Sequence, residues 1–486
     1  MTTIRCVHLG GRALLAGAAL TGLLALSGCD ARSASNNPKP NIILIVIDTL
    51  RADHLGCYGY FRDTSPNIDA FADQSIFFEQ AYAPMATTLP SHASLFTGLY
   101  PLEHGTVANF GDGGAPFTSR PGVRAAAEVF KENGYTTGAF VSAAPMKRIS
   151  GINVGFDTYE QPAQMERGAK LTTAETLRWL DTHGKAPFFL FVHYFDPHTP
   201  YRPPQPYQTM FRHAPELDAH LAQRDIPNVV APGLCRGRYP TVSRRAVNLY
   251  DGEIRYCDSQ IGLLFEALKQ RGLWDSSVIV LTADHGEGLN QHDWPQHGRT
   301  WNEQVHVPLM MRFPGRIPGR FAPLTSLIDV FPTVFGMLEA DWAEDFLAQA
   351  RGVNVLAADF QQRPLLAQRS ARDCGEFGGP LYAYTTPSWR YHYTPDKPEL
   401  LFDRRLDPYE LNNAFDENSA EAGAIRRDLL SEVADLLERG KALEPTATET
   451  TIDPQYRRDM EALGYVDSLD DDEQVATQPA SAPSAP

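Results

Sequence analysis

Beyond residue 40 the chain alternates short, unbroken apolar runs with longer stretches of helical period. The runs span 41–47, 136–141, 187–194, 276–281 and 307–313. They are dominated by Val, Ile, Leu, Met and Phe without polar alternation, the pattern of strands covered on both faces. Helical periods fill 122–133, 171–182 and 244–271, and each stops at a glycine, Gly134, Gly184 and Gly272, the usual C-terminal signal. This alternation predicts an α/β fold, a large and mostly parallel sheet sandwiched by helices.

The pattern changes near residue 350. Over 363–405, short Tyr- and Thr-bearing runs are broken by Gly-Gly-Pro and Asp-Lys-Pro turns, which predicts a small antiparallel sheet. A helix follows over 420–438, with Leu429, Leu430, Val433, Leu436 and Leu437 along one stripe, the signature of core packing. We therefore expect a larger domain over 41–349 and a smaller α+β C-terminal subdomain over 350–465. Residues 466–486 carry acids without a base and end in Ser, Ala and Pro, so a disordered tail is expected. No internal repeat is found.

The first residues carry Arg5 and Arg12, an apolar run over 13–26, then Ser27, Gly28 and Cys29. The run is shorter than the roughly 20 residues a membrane-spanning helix needs, and the order of charge, apolar core and small residues predicts a secretory signal over 1–28. Leu26-Ser27-Gly28-Cys29 resembles a bacterial lipobox. That resemblance implies a lipid on Cys29, a polar tether over 29–40, and a protein held at a membrane on the periplasmic or extracytoplasmic side of the cell envelope. Cys57, Cys235, Cys257 and Cys374 remain, none in a CxxC spacing, so a zinc–cysteine site is not expected, and one disulfide or four free thiols both fit. The formal net charge of -16, from 43 Lys and Arg against 59 Asp and Glu, argues against nucleic acid as a partner.

Three acidic or histidine-bearing segments follow predicted strands directly: Asp48; Asp196 with His198; and Asp284 with His285. In a parallel sheet those strand ends share one edge, where ligands bind. One such aspartate commonly caps a helix, but three segments with an Asp-His-Gly triplet point to a metal site. A fourth segment, 85–98, places Thr88 in a tight turn before a helix beginning near Ser91, where free N–H groups favour an anion. A bound divalent cation is one means of ionising such a hydroxyl. Simple helix capping by Thr87, Thr88 and Ser91 is the alternative. Packing is expected of His54 and Cys57, and exposed charge of Glu253 and Asp258 on the long helix.

Together the segments 41–60, 88–105, 195–201, 283–289 and 306–315 resemble the sulfatase family of the alkaline-phosphatase superfamily. Carried over by position, the resemblance implies Asp48, Thr88, Asp284, His285 and His297 as metal ligands. It implies Thr88 as nucleophile, His198 as the residue contacting the ester or protonating the leaving oxygen, and Asn109 as a contact to the transferred group. His292 competes with His297, which is favoured for its following Gly298; Glu303 receives no role. Thr88 and His92 stand where usual sulfatases have Cys or Ser and, four residues on, Arg. Thr49 replaces a second Asp, and His285 stands where many sulfatases have Asn. Losing a carboxylate and gaining an imidazole favours zinc or manganese over calcium. The implied activity is hydrolysis of phosphate mono- or diesters, within a small-molecule, glycan or lipid substrate, by metal-activated Thr88. Sulfate-ester hydrolysis, phosphoryl-group transfer and an inert binding protein are the alternatives.

Overall fold

The computed structural model describes residues 39–110, 116–117, 122–185, 187–212, 217, 244–369 and 381–443. The leader, Cys29, Cys235, Cys374, most of the 202–240 loop and the 466–486 tail lie outside these residues. Among the described residues one sheet contains β1 (Asn41–Ile47), β2 (Ile76–Tyr82), β3 (Thr136–Phe140), β4 (Thr158–Glu160), β5 (Phe188–Tyr194), β6 (Ser277–Ala283), β7 (His306–Arg312), β8 (Gly319–Phe321) and β9 (Thr325–Ser326). Their order is β4-β3-β5-β1-β6-β7-β2-β8, with β9 also beside β2. The pairs from β4 to β6 are parallel, and only β7 runs against its neighbours β6 and β2.

The unbroken apolar runs become the central strands because both faces are covered: every residue of β1, β5 and β6 is buried. Phe189 and Phe191 of β5 pack on Phe156 at centroid distances of 5.6 and 6.2 Å. Truncating either to Ala should cost about 3–5 kcal/mol. β2 escapes the pattern because Glu79 and Gln80 interrupt its apolar run where its register with β7 shifts. The helix predicted over 122–133 is the shorter Ala126–Glu132, since Glu128 turns back to accept from Ala125 N at 2.9 Å and fixes the start there.

A second sheet, antiparallel throughout, has the order β10 (Leu365–Gln368), β11 (Tyr382–Thr385), β12 (Trp389–Tyr393), β13 (Leu400–Asp403). Leu366, Tyr384, Tyr391 and Leu401 pack with Ile425, Leu429, Val433 and Leu436 of the helix Ala420–Ala442. The fold is therefore the expected α/β class with a small antiparallel sheet added. Cys57 and Cys257 are free thiols. Glu253 and Asp258 are buried, contrary to the expectation of exposed charge. Asp258 accepts from the N–H groups of Asn67 and Ile68 at 3.0 and 2.9 Å, satisfying the start of the helix Pro66–Ala72 that crosses it. His54 is buried as expected, and its Nδ1 pairs with Asp251 at 2.7 Å.

Candidate active site

Register alone assembles the edge. Ile47, the last residue of β1, lies opposite both Tyr194 of β5 and Ala283 of β6, so three chains leave the sheet at one level. Asp48 and Asp284 are the first residues beyond it. Thr49 then takes a left-handed φ of 56°, costly for a β-branched residue. Two bonds hold it there: Thr49 N donates to Asp284 Oδ1 at 3.1 Å, and Tyr250 OH donates to Thr49 O at 2.6 Å. Tyr250 Oη also accepts from Arg51 N at 2.9 Å. One tyrosine of the long helix Arg244–Gln270 thus fixes the turn that aims Asp48.

Asp284 Oδ1 also accepts from His285 N at 2.8 Å, while Oδ2 is buried with no hydrogen-bond partner. Oδ2 lies 3.4 Å from His285 Nε2 and 3.7 Å from His92 Nδ1. Asp48 presents Oδ1 4.0 Å from His285 Nε2 and Oδ2 3.7 Å from His193 Nε2. Burial pushes the Asp284 carboxyl up to about 7, against the Thr49 and His285 N–H groups that draw it down. Burial also drives His92 down to about 4, and His193, His198 and His285 well below the usual imidazole range. Neutral imidazoles are in the protonation state metal ligands need, and a cation would favour the ionised form of the Asp284 carboxyl against its burial. Gly286 lets the backbone close over this turn, since a Cβ there would lie 2.1 Å from Glu303 O.

Thr88 is the first residue of the helix Thr88–Thr97, not part of a turn ahead of a start near Ser91. Pro90 falls in the first turn, where its missing N–H costs no helical bond. Thr88 Oγ1 lies 3.5 Å from His285 Nε2. Ser91 Oγ donates to Asp284 O at 2.6 Å, and Thr87 makes no side-chain cap, so capping does not explain this cluster. Asn109 Oδ1 accepts from Leu89 N at 2.9 Å, tying that residue to the same helix start.

His198 Nδ1 donates to Thr199 O at 2.5 Å, which leaves the lone pair on Nε2. The His297 ring stands 4.5 Å from His285 and 5.2 Å from His198, with Nδ1 3.6 Å from Glu287 Oε1. His292 lies elsewhere: it stacks on Trp301 at 4.0 Å and meets Glu303 at 3.1 Å. Asp196 turns away as well, accepting from Ala169 N at 2.7 Å at the start of the helix Ala169–His183.

The sulfatase family model matches residues 40–340. This chain belongs to the sulfatase family. It is 26% identical over 401 residues to human iduronate 2-sulfatase, covering 68% of this chain and 70% of that one. It is also 26% identical over 493 residues to an endo-4-O-sulfatase of Bacteroides thetaiotaomicron, covering 84% and 94%. The fold is shared with the phosphonate monoester hydrolase of Agrobacterium radiobacter at a TM-score of 0.63 and 24% identity, covering 82% and 96%. The protein is a hydrolase acting on ester bonds.

Sulfatase-family enzymes are metal-dependent, and these residues fit a divalent cation. Asp48, Asp284 and His285 bring their ligand atoms together, with His285 Nε2 3.4 Å from Asp284 Oδ2 and 4.0 Å from Asp48 Oδ1, about the separation of ligands roughly 2.1 Å from one ion. Asp284 Oδ2, buried without a hydrogen-bond partner, is a group that a cation would satisfy. Two residues beyond the expected set join them. His92 and His193, both buried, form a further group with Asp284. His193 is hidden in the apolar run of β5, where a lone imidazole in an otherwise unbroken strand is the available signal. His92 is visible as the departure four residues after Thr88, a position one helical turn on and therefore on the same face.

Proposed function

We propose that this sulfatase-family protein hydrolyses phosphate monoesters or diesters through Thr88 as an unmodified nucleophile. The observation carrying this reading is the buried Thr88 hydroxyl at a helix start, 3.5 Å from His285 Nε2. Threonine bears a methyl on Cβ, so two-electron oxidation there would give a ketone and not the aldehyde whose hydrate attacks sulfate. The hydroxyl itself is then the available nucleophile.

Asp48, Asp284 and His285 would hold the cation, with Thr88 beside them. When bound, that cation supplies positive charge that makes an adjacent hydroxyl more acidic and an ester's central atom more electrophilic. The imidazole-bearing set favours zinc or manganese, with calcium less suited. The chain's own residues do the rest. The N–H groups and dipole of the helix Thr88–Thr97 favour the charge that accumulates on the transferred group. Asn109 locks Leu89 N and so fixes the attacking turn. His198 would take up at its Nε2 lone pair the proton that Thr88 loses and pass it to the leaving oxygen, and His297, its ring 5.2 Å from His198 and 4.5 Å from His285, would meet the transferred oxygens.

Sulfate-ester hydrolysis is the second reading, favoured by relatives named as sulfatases. The deciding assay loads the purified body separately with Zn²⁺, Mn²⁺ and Ca²⁺ and measures kcat/KM on aryl phosphate monoesters, diesters and sulfates. Phosphorus substrates should lead with zinc or manganese; a sulfate ester turned over faster than both would sink the phosphorus preference. Leu26-Ser27-Gly28-Cys29 supports lipid attachment at Cys29 on the outer side of a membrane, checked by palmitate labelling that Cys29→Ala should abolish.

A further inference from the structure

We propose that the centre is binuclear, with a second divalent cation held by His92, His193 and Asp284. The inference deepens the reading of the same site and rests on its first cation. The ligand atoms of these three side chains lie within 4.8 Å of one another, as do those of Asp48, Asp284 and His285, and the two sets share only Asp284. All five side chains are fully buried.

His92 turns Nδ1 toward Thr88 O at 2.8 Å and Asp284 Oδ2 at 3.7 Å, and its Nε2 is a buried atom with no hydrogen-bond partner. His193 Nε2 is in the same state. Its Nδ1 accepts from Ser142 N at 3.4 Å, a length at which little is given up when the proton moves to Nδ1 and Nε2 takes a cation. The two rings meet edge to face, their centroids 5.0 Å apart. If these positions only filled space beside Phe191, apolar side chains would do so without stranding two ring nitrogens next to an unbonded carboxylate oxygen.

Asp48 supplies the link between the two sets. Its Oδ1 faces His285 and its Oδ2 faces His193, at 4.0 and 3.7 Å. One carboxylate offering an oxygen to each side is the arrangement of a bridging ligand, which spans cations about 3.5–4 Å apart. The second cation would add charge on the side of the site reached by β5 and by the first turn after Thr88.

The test counts metal on the full chain. The purified protein is stripped with a chelator, dialysed against Mn²⁺ or Zn²⁺ alone, and assayed by mass spectrometry of the metal, with electron paramagnetic resonance of the Mn²⁺ form. Two equivalents per chain and an exchange-coupled Mn²⁺ spectrum are expected. His92→Ala and His193→Ala, each verified as folded by circular dichroism, should hold one equivalent and give the six-line spectrum of isolated Mn²⁺. One equivalent in the unaltered protein overturns the second cation and leaves the first standing; none overturns both. Two equivalents retained by the folded variants overturns the assignment to His92 and His193. Should neither variant fold, the count on the unaltered protein decides.

Discussion

Thr88 Oγ1 and His285 Nε2 face each other across 3.5 Å, a distance too long for a strong hydrogen bond. His285 Nδ1 donates to Gly286 O at 2.9 Å, so Nε2 carries a lone pair and cannot donate. Asp284 Oδ2 lies 3.4 Å from the same nitrogen. Three electron-rich atoms thus converge on one buried point, an arrangement that costs free energy unless a proton or cation is shared among them. The site is built to bind charge, and the hydroxyl belongs to it.

Thr88→Ala should therefore abolish turnover while sparing the fold. Loss of a covalent nucleophile costs at least about 4 kcal/mol of barrier, a fall of roughly 10³ or more in kcat. Thr88→Ser keeps the hydroxyl and should keep measurable activity. Steady-state kinetics on an aryl phosphate diester reads both, and an alanine variant with undiminished kcat would remove Thr88 from the mechanism.

His198 is expected to act on the leaving group. His198→Ala should lower kcat by about 10²–10⁴ on alkyl esters, whose leaving oxygens need a proton, and much less on p-nitrophenyl esters, whose leaving group departs unprotonated. A series of leaving groups of graded acidity separates this from a general loss of fit, which would lower every rate alike.

The core of the fold is legible because burial on both faces writes unbroken apolar runs, as in β1, β5 and β6. It fails where that rule does not operate. β2 carries Glu79 and Gln80 at a register shift, and β4, β8 and β9, of two or three residues each, are too short for any period. At the site, Asp48, Asp284 and His285 are readable because each directly follows a strand. His193 is not, because its strand reads as apolar throughout. Asp258 looks exposed on a helix stripe until the helix Pro66–Ala72 crosses it, a tertiary contact with no local trace.

Tyr250 should matter to metal binding without touching the metal ligands' outer face. Its hydroxyl holds Thr49 O and Arg51 N, and so the turn that presents Asp48. Tyr250→Phe leaves two buried backbone groups short of a partner, about 1–3 kcal/mol of stability. We expect metal affinity to fall by roughly 10–100-fold, as for other residues that orient ligands. Isothermal titration with Zn²⁺ checks this; unchanged affinity at reduced stability would make Tyr250 purely structural.

Glu410 should govern acid stability at the seam between the two sheets. Burial alone would raise its carboxyl, but His392 Nε2 at 3.0 Å and Arg390 Nε at 2.6 Å hold it down to about 2. Burial also pushes His392 itself down, so the permanent charge of Arg390 is the steadier partner. In the unfolded chain the same carboxyl titrates near 4.3. The folded form therefore binds fewer protons between those values, and its contribution is fully present above about 4.3 and lost as pH falls toward about 2. The gap corresponds to stability on the order of 3 kcal/mol. Glu410→Gln should cost that much at pH 7 and flatten the loss of stability between about pH 4.5 and 3. Denaturant unfolding at pH 7, 4.5 and 3 measures both effects, and a variant retaining the full acid sensitivity would place its origin in other carboxylates.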